Sequence, residues 1–276
     1  MEVNKTYNEN CLDTMARMED NFIDLTVTSP PYDNLRNYKG FEFDWQKVIK
    51  ELYRTTKNGG VVVWIVGDAT IKASETGTSF RQALYAIECG FNLHDTMIYE
   101  KSGVMPSRNR YCQMFEYMFV LSKGKPKTTN LLKDRKNNWA GTKTFSNITS
   151  RQKDGTLKKK AQKEINDFGM RFNIWRVVNG NGFGQKDKIA YKHPATFPEQ
   201  LANDHIVSWS NENDLIYDPF MGSGTTAKMA KLNNRNWIGS EISKDYCDII
   251  KERLLNKPKD KQITIFDQIE EQKETK

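Results

Sequence analysis

A doubly wound α/β sheet is the architecture this sequence predicts, and three stretches predict it. Asp24-Leu25-Thr26-Val27-Thr28 reads as a buried strand that stops abruptly at Ser29-Pro30-Pro31-Tyr32. Leu25 and Val27 among threonines favour a strand, and the two prolines end its ladder by fixing φ and removing two donors. Val61-Val62-Val63-Trp64-Ile65-Val66 is a continuous apolar run, the composition of a strand covered on both faces. Downstream, a short apolar strand at 214–217 enters a Gly-rich turn, a helix begins at Thr225, and a further strand at 236–240 ends in Glu241.

The remaining elements follow in chain order. Residues 3–7 form a short polar strand, and 12–18 a helix that Asn10 can cap. Residues 44–57 read as an amphipathic helix with Trp45, Val48, Ile49 and Leu52 at helical spacing, stopped by Asn58-Gly59-Gly60. Gly67-Asp68 closes the apolar run; Asp68 either faces a ligand or caps the next turn. A helix at 80–89 closes on Gly90, and strands follow at 92–100 and 111–122, with His94 structural. From about 124 to 191 apolar periodicity fades and Lys, Asn, Gly and Thr dominate, with Lys158-Lys159-Lys160 as a charge run. That segment is either a nucleic-acid-recognition region or a solvated insert. Thr196 as cap and Pro198 in the first turn open a helix that runs through Ile206. A last helix at 243–255 sets Tyr246, Ile249, Ile250 and Leu254 on one face, and a charged tail follows.

Two loops carry chemistry. In open α/β sheets ligands bind at the carboxyl ends of strands. The loop after Thr28 offers a hydroxyl, proline-flanked carbonyls and an aromatic face. A flat heteroaromatic ring can stack on Tyr32 while its amino group donates to Ser29 and a carbonyl; a tight turn with a capping serine explains the same residues. The second loop, Asp218-Pro219-Phe220-Met221-Gly222-Ser223-Gly224-Thr225, lacks the Gly-Lys-Ser/Thr ending of a phosphate loop. Its glycines permit close backbone approach, the helix start offers N–H groups, and Glu241 suits ribose hydroxyls. That combination fits a nucleoside cofactor such as S-adenosylmethionine.

Together these stretches carry a resemblance. Thr28-Ser29-Pro30-Pro31-Tyr32 resembles the catalytic motif of amino-group DNA methyltransferases, and Asp218 to Thr225 resembles their methyl-donor motif. The catalytic motif comes first, the permuted order of the β class. Asn173-Ile174-Trp175 and His193-Pro194-Ala195-Thr196-Phe197-Pro198-Glu199 resemble the segment before the donor motif, and Phe115 to Lys123 the family's late strand. The resemblance implies a mostly parallel, Rossmann-like methyltransferase sheet. Residues 1–123 form its catalytic half, 124–191 an inserted target-recognition region, and 192–276 the cofactor-binding half and tail. It implies catalytic roles for Ser29, Pro30, Pro31 and Tyr32. It implies cofactor contacts for Asn10, His193, Phe197, Pro198, Asp218, Phe220, Gly222, Ser223, Gly224, Thr225 and Glu241, and no metal. Phe197 and Pro198 would pack near the cofactor's methionine end. The family's Gly-Asp-Cys-like turn departs here to Asn10-Cys11, without the usual acid.

The reaction implied is transfer of a methyl group to the exocyclic amino group of a flipped-out base. Ser at the motif's first position favours cytosine N4; adenine N6 is the alternative. None of the four cysteines follows a proline, which sets ring-carbon methylation of cytosine aside. A non-catalytic nucleic-acid-binding module on the same sheet is a reading of another class, and RNA or protein glutamine are other substrates of related Pro-Pro-Tyr motifs. The +7 charge and pI near 9.0 suit a polyanion, and double-stranded DNA is the expected partner. A homodimer is expected by resemblance alone, with room for a cognate restriction endonuclease. Scattered cysteines, a polar N-terminal stretch and no membrane-length apolar run predict a cytoplasmic protein without membrane contact.

Overall fold

A computed structural model describes residues 1–31, 43–102, 109–145, 148–178, 184–193, 196 and 198–255. The chain forms two compact units: one of Met1–Asn130 plus the described chain from Asn173 onward, the other Leu131–Phe172.

The larger unit is built on an eight-stranded sheet. Its strands are β1 (Lys5–Tyr7), β2 (Ile23–Thr28), β3 (Thr56–Val66), β4 (Asn92–Lys101), β5 (Phe115–Ser122), β6 (Ile174–Val177), β7 (Leu215–Asp218) and β8 (Asn236–Ser240). The spatial order is β1-β8-β7-β2-β3-β5-β4-β6. All neighbours are parallel except β5, which runs antiparallel to both β3 and β4. Six helices accompany the sheet among the described residues: α1 (Cys11–Ala16), α2 (Trp45–Thr55), α3 (Thr78–Glu88), α4 (Glu199–Trp209), α5 (Thr225–Leu232) and α6 (Lys244–Leu255).

Alternation along β3 explains its uninterrupted apolar sequence. Val62, Trp64 and Val66 pack with Val48, Ile49 and Leu52 of α2 and Ala83 and Ala86 of α3 in one buried cluster, while Val61, Val63 and Ile65 are also buried. On the other side α4 is buried almost all round, Leu201, Ala202 and Ile206 at 0% exposure. Its His205 lies 3.2 Å from the Met118 sulfur and stacks on Trp175. His94 packs edge-on against Trp209, a structural role.

Three local expectations change. Asn58-Gly59-Gly60 does not cap α2. The helix ends at Thr55, the N–H of the capping Thr56 returns to the Leu52 carbonyl, and residues 56–60 belong to β3. There the register against β2 shifts, and Gly59 trades hydrogen bonds with Lys123 and Lys127. Strand pairing outcompetes a cap because it satisfies both backbone groups of Gly59. Thr196 does not cap α4 either: Pro198 is the N-cap residue, without a side-chain bond, and the Glu199 N–H binds the Gly184 carbonyl. On α6 the buried residues are Cys247, Ile250 and Arg253, where the apolar pattern pointed to Tyr246, Ile249, Ile250 and Leu254.

The smaller unit is held by short ribbons. Residues 149–151 pair with 157–159, and 135–136 with 168–169, both antiparallel. Arg171 grips Asp134 through its Nε at 3.0 Å, and the Arg135 guanidinium lies over the Phe172 ring. Trp139 and Phe145 are exposed at 71% and 83%. The expected insert, 124–191, is wider than this unit: Lys127 and Asn130 bond to Gly59 and Ser208 of the larger unit, and 174–177 is its edge strand.

Candidate active site

The chain leaves β2 toward β3 on one side of the sheet and β7 toward β8 on the other. β2 and β7 are nevertheless parallel neighbours, with Leu25 beside Ile216 and Thr26 beside Tyr217. This is the switch point of a doubly wound sheet, where a crevice opens beyond the carboxyl ends. It brings together two loops separated by about 190 residues of chain. Thr28, the last residue of β2, donates from Oγ1 to Asp218 Oδ1 at 2.7 Å, and Asp218 is the last residue of β7. The same carboxylate accepts the Phe220 N–H at 3.0 Å, and Thr226 reaches back to the Val27 carbonyl at 3.1 Å. Burial pushes the Asp218 carboxyl up to about 6, against the hydrogen bonds from Thr28, Phe220 and Thr226. Asp218 therefore pins the two strand ends to each other.

The donor turn follows. Gly222 and Gly224 adopt φ of +53° and +81°, the left-handed region that L side chains resist. A Cβ on Gly222 would stand 3.2 Å from the His193 ring, and one on Gly224 would stand 3.0 Å from Ile250. The turn is thus both conformationally and sterically reserved for glycine. His193 packs edge-on against Tyr246, closing one wall. Phe220 turns its ring inward against Phe43 and Trp64.

Glu241 stands just past β8, 8% exposed. Its Oε2 accepts the Gly222 N–H and its Oε1 the Ser243 N–H, each at 2.8 Å. Burial pushes this carboxyl up to about 7, the backbone donors pulling the other way and the nearby Asp218 adding to the rise. Asn8, beyond β1, donates to the backbone carbonyls of Glu241 and Ile242, tying the edge strand's exit to this corner. Asn10 follows; its Oδ1 accepts the Leu12 N–H and caps α1.

On the target side, Ser29 is half-buried, Pro30 buried and Pro31 half-buried, in extended chain leaving β2. Tyr32 and Phe197 lie outside the described residues. Pro198 is buried at the head of α4. Asp68 caps α3, accepting the Ser79 N–H at 2.9 Å.

Across the sheet the strand exits therefore line up as Asn10, Glu241, the donor turn and Ser29. Sequence reasoning named Thr28 only as the start of the Pro-Pro-Tyr motif and did not single out Asn8, Gln185 or Arg253. Arg253 had a signal: a cation two turns from Tyr246 and three residues from Ile250, inside an otherwise apolar stripe.

A family model of DNA methylases, the N6/N4 amino-methyltransferase type, matches residues 23–252, and the chain belongs to that family. It is 64% identical over 236 residues to the orphan methyltransferase M.BamHII of Bacillus amyloliquefaciens, covering 85% of this chain and 89% of that one. Type II methyltransferase M.BglII of Bacillus subtilis is 28% identical, over 93% of this chain and 70% of its own. Among solved structures, PvuII DNA methyltransferase (cytosine-N4-specific) superposes with a TM-score of 0.70 at 20% identity, covering 94% of this chain and 88% of that one. The M1.HpyAVI complex with S-adenosylmethionine gives 0.59 at 23% identity, over 91% and 99%. The protein is an S-adenosylmethionine-dependent DNA methyltransferase with the Rossmann-like fold.

The site fits that methyl donor. The turn leaves space where a Cβ would intrude on His193, has no lysine for a phosphate, and sets a buried carboxylate at the neighbouring strand end. Among the described residues no helix is long and apolar enough to cross a membrane.

Proposed function

We propose that this protein methylates the N4 amino group of cytosine in double-stranded DNA, at a specific site. One observation carries the mechanism: the Thr28–Asp218 bond across the switch point, which sets the Ser29 loop directly beside the donor turn. The serine at the head of the Pro-Pro-Tyr motif and the fold shared with a cytosine-N4-specific enzyme support the choice of base.

Glu241 accepts the ribose hydroxyls of the donor, with Asn10 on the adenine side. Gly222, Ser223, Gly224 and Thr225 pass beneath it, and His193, Phe197 and Pro198 flank its methionine end. Asp218 and Phe220 act one layer further in, shaping the turn. The donor supplies an electrophilic methyl on a sulfonium. Ser29 and the carbonyl beside Pro30 accept the two N–H bonds of the flipped base's amino group, and Tyr32 stacks on the ring. Those bonds draw the nitrogen lone pair out of ring conjugation and aim it at the methyl; the N–C bond would form as the methyl–sulfur bond breaks, the thioether S-adenosylhomocysteine would leave, and the methylated nitrogen would release one of its protons to solvent. Pro30 and Pro31 hold the acceptors rigid, so positioning supplies much of the rate. The compact unit 131–172, with its lysines and exposed aromatics, is the proposed recognition region: lysines meet phosphates and Trp139 and Phe145 offer stacking or groove contacts. A homodimer, a cognate endonuclease and a cytoplasmic location complete the proposal.

The test is methyl transfer from labelled S-adenosylmethionine to unmethylated bacterial genomic DNA, digested to nucleosides and resolved by mass. N4-methyldeoxycytidine is the expected product. N6-methyldeoxyadenosine would overturn the choice of base.

A further inference from the structure

Arg253, near the end of α6, is a cation with 1% exposure. Its guanidinium is engaged on every edge. Nη1 donates to the Ser223 carbonyl at 2.6 Å, to Ser223 Oγ at 3.0 Å and to Thr225 Oγ1 at 3.3 Å. Nη2 donates to Gln185 Oε1 at 2.6 Å and Glu199 Oε1 at 3.0 Å, and Nε to Asp187 Oδ2 at 3.1 Å. Lys228 of α5 completes the cluster, reaching Asp187 at 2.9 Å and Glu199 at 2.6 Å. Two cations face two carboxylates, so the buried charges balance. Burial raises the Asp187 carboxyl, but the Arg253 and Lys228 contacts outweigh it and hold the group below its ordinary range.

The geometry matters because of what the Ser223 carbonyl belongs to. It lies between the two left-handed glycines, so its direction defines the turn. Glu241 holds the Gly222 N–H from the sheet side, and Arg253 holds the Ser223 carbonyl from the helix side. The two grips differ in kind. Glu241 is the proposed acceptor for the ligand's ribose, whereas each guanidinium nitrogen of Arg253 is already taken by a protein acceptor. The same guanidinium also fastens Gln185 and Asp187, which lie a few residues before His193, and Glu199 at the head of α4, while His193 stands beside Gly222. A planar fork with five donors does this; a lysine cannot span both sides.

We infer that Arg253 is the positioning residue of the methyl-donor site, presetting the Gly222–Thr225 turn and the Gln185, Asp187 and Glu199 side of the site for S-adenosylmethionine without touching it. The inference rests on the donor turn being the cofactor site.

The experiment compares the full-length wild type with R253K, R253Q, E241Q and K228M. Titration calorimetry measures S-adenosylmethionine affinity, and hydrogen exchange follows the peptide spanning 218–226 in the ligand-free protein. Steady-state kinetics separate KM for S-adenosylmethionine from kcat. R253K and R253Q are expected to weaken affinity by about 10- to 100-fold, the cost of a lost charge-assisted bond. They should raise that KM in step, keep kcat at saturation within about threefold, and speed exchange in the turn. K228M, which disturbs the same charges without reaching the turn, should lower the melting temperature and leave KM near wild type. Should R253Q fold poorly, R253K decides. Overturning results are R253K with unchanged affinity and exchange, or with kcat lost at constant KM, or K228M matching it in KM. Weakening by E241Q but not R253K would sink only this inference; no weakening by either would sink the cofactor-site assignment beneath it.

Discussion

The two loops that meet at the switch point are built in opposite ways. The donor turn is gripped by buried polar groups from several elements: Asp218 from β7, Glu241 past β8, Arg253 from α6. The target loop leaves β2 through two consecutive prolines, whose rigidity is covalent. The difference teaches where each mutation should be felt. Donor-side changes should move affinity and stability together, because one network supplies both. Target-side changes should move turnover alone.

Substituting Ser29→Ala tests that separation most sharply. In the proposed mechanism it removes one acceptor aimed at the reacting amino group, and losses of such preorganised contacts are typically 10²- to 10³-fold in kcat. S-adenosylmethionine affinity and melting temperature should stay at wild-type values; a matching loss of affinity would break the division. Glu241→Gln is the donor-side counterpart, with affinity expected to weaken about 10- to 100-fold and kcat at saturation little changed. Its pH behaviour sharpens the point. The Glu241 carboxyl ionises at about 7, and the ionised form is the better acceptor for ribose hydroxyls. Affinity in the wild type should therefore fall as pH drops below about 7, and the E241Q titration should be flat.

Gly224→Ala should cost stability and affinity at once. The left-handed conformation and the approach to Ile250 together cost at least about 2 kcal/mol, read by denaturant unfolding. Asp218→Asn probes the joint between the loops. Its carboxyl is raised to about 6 in the folded protein, above its unfolded value. That contribution is fully present below the unfolded pKa near 4 and is lost as pH rises through about 6. The wild-type protein should lose stability between about pH 4 and about pH 7. D218N, which retains an oxygen acceptor for Thr28 and Phe220, should reduce that slope by up to about 3 kcal/mol across the range. The smallest effects belong to the separate compact unit. Replacing Lys158, Lys159 or Lys160 singly should lower the salt slope of DNA binding by about one each where a phosphate is contacted, leaving S-adenosylmethionine affinity unchanged.

Much of this molecule is legible in its sequence. Strand β3 is readable because burial on both faces demands an unbroken apolar run, and α2 because its buried residues recur at helical spacing. The Ser29-Pro30-Pro31 exit and the Gly222–Gly224 turn are readable because proline and glycine dictate backbone geometry locally. Local rules failed where a distant partner competed. Asn58-Gly59-Gly60 has the chemistry of a helix stop, yet Lys123 and Lys127 draw Gly59 into pairing within β3. Thr196 is a good capping residue, yet the Gly184 carbonyl takes the N–H that needed a partner.

The sequence by itself determined the alternating strands and helices, the two strand-end loops and their residue chemistry, since each follows from side-chain period or from a single residue's φ. Tertiary structure alone decided that β2 and β7 are neighbours, that Thr28 bonds Asp218, and that Arg253 turns inward to the donor turn. Those are contacts between residues far apart in the chain. A hydrogen bond's value depends on the burial around it, and burial is a property of the packed sheet rather than of any stretch of sequence.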